Sequence, residues 1–386
     1  MASSKHSNAA GGTRPALRLA IAGMGLVGQR HADAIAQVPD ADLCAVVDPS
    51  DAGKAAAERL GVPWFDDLHG MILAQAPDGI ILSTPTKLHV DQGAVCLDAG
   101  VPVLIEKPLA DDLHAARAMV ERAEKANVAL LVGHHRRHNP LIRKAHEHIK
   151  RGTIGAVRAV QATCWFYKPD SYFDAATWRK QVGAGPISVN LVHDIDLLRH
   201  LCGEIVSVQA QAAPSARGYE NEDVAAALLR FESGAIGTIT VSDSIVAPWS
   251  WEMTAHEYPI YPTTSQSAYQ IGGSHGSLSV PDLTLWSHNE RRDWWTPISA
   301  MSVPRDTSDP LINQMAHFAA VIRRQEAPLV SGREGLRSLA VVDAIQKSAK
   351  SNALIHLEEA DGTGTWDDKS PGQSTKTNEP KAKIAN

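Results

Sequence analysis

Three glycines at fixed spacing, Gly23, Gly25 and Gly28, follow an apolar run at residues 17–22 that is long enough for one buried strand. In a turn of this pattern the first glycine permits a tight bend, the second lets the backbone approach a pyrophosphate, and the third lets the next helix pack closely. The free N–H groups and the dipole at the start of that helix favour anions. The spacing therefore predicts a phosphate-binding turn that includes Leu26 and Val27, with a ligand-free glycine turn as the alternative.

A carboxylate completes the pattern. A second apolar run, residues 43–47, ends at Asp48, about twenty residues beyond the last glycine, where a carboxylate accepts from a ribose 2′-hydroxyl. The same charge would repel a 2′-phosphate, so it favours NAD over NADP. With strand, glycines, helix, strand and acid in this order, the sequence predicts a dinucleotide site.

Lys107 could stabilise negative charge on oxygen. It lies between Glu106 and Pro108, directly after an apolar run at residues 101–105. Parallel sheets place ligands at the carboxyl ends of their strands. A lysine cation there can lower the pKa of a hydroxyl that loses a proton and stabilise the resulting oxyanion. A surface lysine before a turn proline is the alternative.

His193 is the second candidate for proton chemistry. It lies on a predicted helix over residues 185–201, after the glycine-rich turn at 183–185. A neutral imidazole suits alcohol oxidation near neutral pH, because its pKa lies close by. A core or capping histidine beside Asp194 is the alternative. We expect Asp194 and Asp196 to orient the helix rather than take part in chemistry.

The elements that must position these residues fall into two groups. Strands predicted at 17–22, 43–47, 62–65, 79–83, 101–105 and 129–133 alternate with helices, which indicates an α/β fold with a doubly wound parallel Rossmann sheet. Later strands, at 156–165, 206–212, 223–231, 235–242, 269–271, 277–280 and 283–287, are expected to be antiparallel. Helices are predicted at 141–151 and 185–201, and two more, at 309–325 and 335–350, are expected to close this second group.

Length and composition fit this division. A chain of 386 residues is too long for one ordinary core. We predict a Rossmann domain at 15–138 and an α+β domain at 139–357 with a large, mostly antiparallel open sheet. The polar segments 1–14 and 358–386 are predicted to be disordered.

Charge and cysteine usage exclude several classes of function. The formal net charge is −6, with both signs mixed along the chain, which argues against nucleic acid or an anionic membrane as partner. The N-terminal stretch has no apolar core of a signal peptide, so a cytoplasmic protein is expected. Four scattered cysteines without a CxxC pattern indicate reduced thiols, and no metal site is predicted.

Taken together, these motifs resemble the Gfo/Idh/MocA oxidoreductase family, of which glucose–fructose oxidoreductase and inositol dehydrogenase are the namesakes. The resemblance covers nearly all of residues 17–357 and depends on six motifs in order: the glycine turn, Thr84-Pro85-x-x-x-His89, Glu106-Lys107-Pro108, and the segments 132–140, 183–196 and 317–351. It implies a cis bond before Pro108, Lys107 directed at nicotinamide and substrate hydroxyl, and His193 as proton acceptor. It further implies cofactor contacts from Thr84, Pro85, His89, Glu106 and Lys107.

The chain departs from the family pattern at one position. Many relatives have an aspartate four residues before the histidine, on the same helical face. This chain has Val189 there, followed by Asn190. A proton relay through that aspartate is absent, so Lys107 and His193 are expected to carry out the proton transfer without it. Asn190 is expected to bind substrate or to orient a lysine.

Three further segments are candidates for substrate contact. Lys168, Tyr172, Trp178 and Arg179 combine aromatic and cationic side chains, which suits a ring bearing hydroxyls or a carboxylate. A core role for Trp178 and Phe173 is the alternative. The basic cluster at 134–138 is expected to contact cofactor or an anionic substrate rather than zinc. The aromatic insertion at 249–262 is expected to serve substrate binding or assembly.

The function implied is that of an NAD-dependent dehydrogenase, which oxidises a secondary hydroxyl of a sugar, cyclic polyol or similar ring alcohol. Segments 168–173, 186–190 and 249–262 more nearly resemble relatives acting on carboxylated aromatic cis-dihydrodiols, which is the alternative. A dinucleotide-binding redox sensor or scaffold is the non-enzymatic alternative. The resemblance also implies a homodimer or homotetramer formed through the C-terminal sheet.

Overall fold

The structure is a computed structural model that describes residues 15–357. Its first half contains the strands β1 (Leu17–Ala22), β2 (Ala41–Val47), β3 (Trp64–Phe65), β4 (Gly79–Leu82), β5 (Val103–Ile105) and β6 (Leu130–Val132). Between them lie the helices α1 (Leu26–Ile35), α2 (Asp51–Leu60), α3 (Leu68–Gln75), α4 (His89–Asp98) and α5 (Leu113–Ala126).

These strands form one parallel sheet in the order β3-β2-β1-β4-β5-β6. The order reverses between β1 and β4, so a crevice opens there at the carboxyl ends of the strands, where such sheets bind ligands. Helices cover both faces, which is why the central strands are apolar along their length and almost fully buried. The predicted doubly wound fold is confirmed.

The second half is built around a nine-stranded sheet. Its strands are β7 (Val157–Trp165), β8 (Ile205–Pro214), β9 (Glu222–Phe231), β10 (Ile236–Ser242), β11 (Tyr269–Gly273), β12 (Gly276–Val280), β13 (Thr284–Ser287), β14 (Ser299–Ser302) and β15 (Ile355–His356). Its helices are α6 (Pro140–Lys150), α7 (Asp170–Asp174), α8 (Pro186–Val189), α9 (Leu191–Cys202), α10 (Trp251–Thr254), α11 (Pro310–Ile322) and α12 (Gly332–Ser351).

The strand order is β14-β13-β12-β11-β7-β10-β9-β8-β15. All neighbours are antiparallel except β7 and β10, which run parallel. The predicted large, mostly antiparallel sheet is therefore confirmed, and its one parallel pair, β7 and β10, is joined through a long connection rather than a hairpin. One face packs on helices, whereas the other is open, and β9 accordingly alternates buried and exposed residues.

Helix α11 packs differently from the expectation. Its side chains Leu311, Met315 and Phe318 share a hydrophobic core with Leu19 and Ile21 of β1. It therefore covers the Rossmann sheet instead of closing the second half. The apolar periodicity of a helix shows that one face is buried but not which sheet buries it.

Helix α12 connects the two halves. Leu336, near its start, belongs to a core built on the parallel sheet, whereas Val342 and Ile345, further along, belong to the core of the second sheet. The two predicted domains thus share a continuous helix, which fixes their relative position.

Among residues 15–357, no helix is both long and apolar enough to cross a membrane. The same residues contain no group of three or more His, Cys, Asp or Glu side chains placed to hold a metal ion. Cys96, Cys164 and Cys202 are buried, Cys44 is half-buried, and all four thiols are free. The predicted disorder of 1–14 and 358–386 lies outside the described residues.

Candidate active site

The glycine turn has the geometry that phosphate binding requires. Gly23 has a φ of +89°, and a methyl group there would lie 2.7 Å from the Ser83 carbonyl. A methyl group on Gly28 would lie 1.9 Å from the Gly23 carbonyl oxygen, whereas one on Gly25 would meet nothing within 4 Å. The outer glycines thus permit close packing, and Gly25 faces open space. Beside it Leu26 and Val27 are 73% and 42% exposed, so this turn can accommodate a dinucleotide pyrophosphate.

Asp48 lies at the carboxyl end of β2, next to the glycine turn. The Met24 N–H donates to Oδ2 at 2.7 Å, and the Ser50 hydroxyl donates to Oδ1 at 2.6 Å. Burial alone would raise the pKa of Asp48, but the hydrogen bonds from Ser50 and Met24 lower it overall. Asp48 is therefore ionised at neutral pH beside the glycine turn, as its predicted contact with a ribose hydroxyl requires.

Glu106 points into the protein interior. Its Oε1 lies 2.8 Å from His31 Nε2, and its Oε2 accepts from the Lys107 N–H at 3.1 Å. Burial opposes ionisation, yet the His31 contact brings the pKa of Glu106 down to about 2. Both oxygens already have partners within the protein, through which Glu106 links helix α1 to the lysine turn. A contact of this side chain with the cofactor stays a prediction.

His89 also has an internal role. Its Nε2 lies 2.9 Å from the Thr84 carbonyl oxygen, and its Nδ1 lies 3.0 Å from that of Pro108. His89 therefore joins the loops after β4 and β5. Because the ring is 1% exposed, it can affect a bound cofactor only through the positions of these loops. The Thr84 hydroxyl donates to Gln92 at 2.6 Å. The Lys107–Pro108 bond is cis, as the resemblance implied, and Pro85 is exposed.

The helix that carries His193 is broken at Asn190. The predicted helix over 185–201 is two helices, α8 and α9, and the His193 N–H donates to the Asn190 carbonyl at 3.1 Å. Lys107 Nζ lies 3.5 Å from the Val189 carbonyl oxygen. Position 189 therefore offers a backbone carbonyl to the lysine where the family resemblance led us to expect an aspartate. A comparison of side chains alone could not find this contact.

Burial and neighbouring charges lower the pKa of both Lys107 and His193. Burial lowers the pKa of Lys107, Arg136 and Lys168 lower it further, and the Glu106 carboxylate raises it. Burial, together with the Lys107 and Arg136 cations, holds the pKa of His193 well below its usual value. His193 is therefore neutral at neutral pH. Its Nδ1 is buried and has no hydrogen-bond partner among residues 15–357.

A second lysine reaches the same helix break. Lys168 is 5% exposed, and its Nζ donates to Asn190 Oδ1 at 2.7 Å and lies 3.7 Å from Asp243 Oδ2. Asn190 thus orients a lysine, which is one of the two roles that the sequence predicted for it. The Arg179 guanidinium lies 4.2 Å from the centre of the Tyr172 ring. Lys168, Tyr172 and Arg179 form one cation–aromatic group at the site.

A cavity of about 570 Å³ opens beside Lys107. Trp178 lines it and is 53% exposed, so the alternative of a core role is wrong for Trp178, whereas Phe173 is 1% exposed and belongs to the core. Its other lining residues include Thr86, Gln181, Ser188 and Val189. The size suits a small ligand. A larger cavity of about 920 Å³ lies near Gly100 and Ala129, at the opposite ends of the strands, and contains none of the predicted site residues.

The basic cluster at 134–138 forms buried ion pairs. Arg137 donates twice to Asp196, at 2.8 Å each, and Arg136 donates to Glu252 at 2.6 Å. The expectation that this cluster contacts cofactor or an anionic substrate is therefore wrong for Arg137. Asp194 and Asp196 serve the structure as expected: Asp196 binds Arg137, and Asp194 accepts from the Tyr269 hydroxyl.

The insertion at 249–262 packs against both halves. Glu257 lies 3.0 Å from His135 Nε2 and accepts from Asn139 at 2.8 Å. At its far end, Tyr258 lies under the guanidinium of Arg30 on α1, at 4.5 Å. Glu252 and Glu257 were missed by sequence reasoning, because their partners lie more than a hundred residues away and no local pattern marks them.

Two family models match the chain. One, described as an oxidoreductase family with an NAD-binding Rossmann fold, matches residues 17–134. The other, described as the GFO/IDH/MocA C-terminal domain, matches residues 142–279. Together they cover the glycine turn, Lys107 and the helix of His193.

Individual relatives are similar over most of their length. A myo-inositol 2-dehydrogenase of Thermotoga maritima is 27% identical over 360 residues, 90% of this chain and 100% of the relative. A 4-carboxy-2-hydroxymuconate-6-semialdehyde dehydrogenase of Sphingobium is 27% identical over 237 residues, 58% of this chain and 72% of the relative. The structure of the WlbA dehydrogenase from Bordetella pertussis, with NADH and UDP-GlcNAcA, is 28% identical with a TM-score of 0.72 and covers 89% and 99% of the two chains.

Proposed function

The chain belongs to the Gfo/Idh/MocA family of NAD-binding oxidoreductases, and we propose that it oxidises a secondary hydroxyl of a cyclic polyol or sugar. One observation carries this proposal: Lys107 and His193 both lie at the break between helices α8 and α9. This break is at the ligand-binding ends of the strands. The similarity to a myo-inositol 2-dehydrogenase over 90% of the chain supports the substrate class.

The residues of the glycine turn and Asp48 would hold NAD, which supplies the hydride acceptor when bound. Lys107 Nζ stabilises negative charge on the substrate oxygen as the hydroxyl proton leaves. His193, kept neutral by burial and by neighbouring cations, accepts that proton at a ring nitrogen. The Val189 carbonyl, 3.5 Å from Lys107 Nζ, orients the ammonium without neutralising it as a carboxylate would.

A second candidate substrate carries a carboxylate. Lys168 and Arg179 bring positive charge to the site, and cations of this kind bind carboxylates. A relative named for a carboxylated substrate is 27% identical over 237 residues. This candidate keeps the same cofactor and the same roles for Lys107 and His193.

We also propose a homodimer or homotetramer formed through the open face of the second sheet. Leu228 and Ile236 are 47% and 55% exposed on β9 and β10, and large apolar side chains on one exposed face favour protein contact. Sedimentation velocity should give two or four times the mass of the chain, and Leu228→Arg should reduce it. A wild-type protein that sediments as a monomer at micromolar concentration would contradict this assembly.

Absorbance of reduced nicotinamide tests the proposed reaction. The purified protein is incubated with NAD or NADP and a panel of inositols, sugars and carboxylated ring alcohols. We expect reduction of NAD by a polyol or sugar and loss of that activity, about 10²-fold or more, in Lys107→Ala. Protein fluorescence should show that the variant still binds NAD. Absence of reduction across the panel by a protein that binds NAD would contradict the proposal.

A further inference from the structure

Two polar, uncharged side chains from different helices face the cavity beside Lys107. Ser188 on α8 and Gln346 on α12 line this cavity together with Lys107. The Gln346 Nε2 amide donates to Ser188 Oγ at 2.6 Å, and both residues are half-buried. Neither residue is among the site residues that the sequence predicts, so this pair adds two polar groups to the wall of the cavity.

The pair lies beside the break between α8 and α9. Ser188 precedes Val189, whose carbonyl oxygen lies 3.5 Å from Lys107 Nζ. The residues next to the pair in the chain, Ile187 and Ile345, are 2% and 0% exposed. Because their side chains are buried in the core of the second sheet, the backbone that carries the pair is held in place next to the lysine.

The pair has hydrogen-bonding capacity that the protein leaves unused. Its one hydrogen bond occupies one of the two amide N–H donors of Gln346 and leaves the Ser188 O–H free to donate. Within residues 15–357, no group donates to Gln346 Oε1, and this atom is not buried. A free acceptor beside a free donor is complementary to a hydroxyl group, which both donates and accepts.

The charged side chains around the cavity favour an uncharged ligand. Within residues 15–357, the charged residues of its wall are Lys107, Asp111 and Asp343. Lys347, 2.9 Å from Asp343, compensates one of the two carboxylates. A ligand carboxylate would be repelled by Asp111, and the one cation of the wall, Lys107, is already assigned to the oxygen of the reacting hydroxyl.

The cations that support a carboxylated substrate lie elsewhere. Lys168 and Arg179 are not among the described residues that line this cavity. Its wall instead includes Trp178, which is 53% exposed, and aromatic walls with a few polar groups are typical of small-molecule sites. The cavity is thus suited to an uncharged ring that carries several hydroxyl groups.

We propose that Ser188 and Gln346 bind a substrate hydroxyl other than the one that is oxidised. This hydroxyl donates to Gln346 Oε1 and accepts from the Ser188 O–H, while Lys107 and His193 act on the reacting hydroxyl. The inference rests on the proposed function and, of its two substrate classes, selects the uncharged polyol. A site that hydrogen-bonds a substrate hydroxyl discriminates against analogues that lack it.

Gln346→Met tests the pair, because methionine has a similar length but neither an N–H donor nor an oxygen acceptor. With NAD and the uncharged polyol that is turned over fastest, KM should rise about threefold to tenfold, and Ser188→Ala should raise the same KM. Protein fluorescence should show unchanged NAD affinity. Gln37→Met is the matched control, since the Gln37 amide also donates a hydrogen bond, to the Asp33 carbonyl at 3.2 Å, but lies outside the cavity.

Deoxy analogues of the same polyol distinguish recognition from a structural role. Each analogue lacks one of the hydroxyl groups that are not oxidised. For one analogue, the wild type and Gln346→Met should have the same KM, because the hydroxyl bound by the pair is missing. An equal rise of KM for the polyol and for every analogue would overturn the proposal, as would an unchanged KM for the polyol or a loss confined to NAD affinity.

Calorimetric titration of the NADH-bound protein with the compounds of the panel supplies a readout that needs no turnover. Uncharged polyols should bind more tightly than rings of the same size that carry a carboxylate, and Gln346→Met should weaken the binding of the polyol. Preferred binding of carboxylated rings, or binding of no compound, would overturn the proposal. A wild type that binds a polyol without oxidising it refutes the proposed function instead, and the titration then still tests the pair.

Discussion

The two residues that carry the chemistry are recognisable in the sequence, but their charge states depend on the fold. Lys107 and His193 are 86 positions apart, and burial and the Arg136 cation lower the pKa of both. The position of Lys107 after an apolar strand was compatible with a ligand-binding site but also with a surface lysine, and the family resemblance favoured the first. The contact with the Val189 carbonyl was not predictable, because helical periodicity gave no sign of the break at Asn190.

The pH dependence of kcat/KM should report these two groups. Since the pKa of His193 lies well below 6.5, the proton acceptor stays neutral to lower pH, and the acid limb should fall below pH 6.5. Since the pKa of Lys107 is lowered from 10.5, the alkaline limb, where the ammonium is lost, should fall below pH 10.5.

The variant His193→Gln tests whether the acid limb comes from His193 or from the neighbouring Asp194. Burial raises the pKa of Asp194, the next residue, to about 6, so Asp194 could also produce an acid limb. The residual activity of His193→Gln should have no acid limb in this range. A limb that persists in the variant would assign it to Asp194 and contradict the role of His193.

At the scale of elements, the glycine turn was the part most open to sequence prediction. Its signals are local: a strand, three glycines, a helix and an acid within about thirty residues. Other contacts of the candidate site are not local. His31 and Glu106 are 75 residues apart, and Arg136 and Glu252 are 116 apart, so no window of sequence shows that they meet.

Two glycines of that turn should respond differently to alanine. In Gly28→Ala the new methyl group would lie 1.9 Å from the Gly23 carbonyl oxygen, so we expect a clear loss of thermal stability. In Gly25→Ala it would meet nothing within 4 Å, so the protein should stay stable while NAD affinity falls.

Thermal unfolding and fluorescence titration with NAD measure the two effects. The variants serve as controls for each other, since both add one methyl group to the same turn. Unchanged NAD affinity in a stable Gly25→Ala protein would place the pyrophosphate elsewhere.

At the scale of the whole molecule, buried ion pairs and one shared helix connect the two halves. Asp196 on α9 accepts two hydrogen bonds from Arg137 and one from Ser338 on α12, at 2.9 Å. The sequence indicated two domains but assigned α11 to the wrong one, because its apolar face does not reveal its partner. The sequence also gave no indication of which polar residues form pairs across the domain junction.

Asp196→Asn should therefore destabilise the entire molecule. Removal of the charge leaves Arg137, which is 4% exposed, partly uncompensated, and breaking such a pair costs about 3–5 kcal/mol. Asp306→Asn breaks the exposed pair with Arg143, which should cost at most about 1 kcal/mol. Urea unfolding gives both free energies, and equal costs would show that the buried pair does not hold the halves together.

Transfer of deuterium tests the central claim most directly. The compound of the panel that is oxidised fastest is prepared with deuterium on its carbinol carbon and incubated with the protein and NAD. We expect the reduced nicotinamide to carry that deuterium, because Lys107 and His193 are placed to assist departure of hydride from this carbon. Reduced nicotinamide without deuterium, or NAD that stays oxidised while bound beside every compound of the panel, would contradict the assigned reaction.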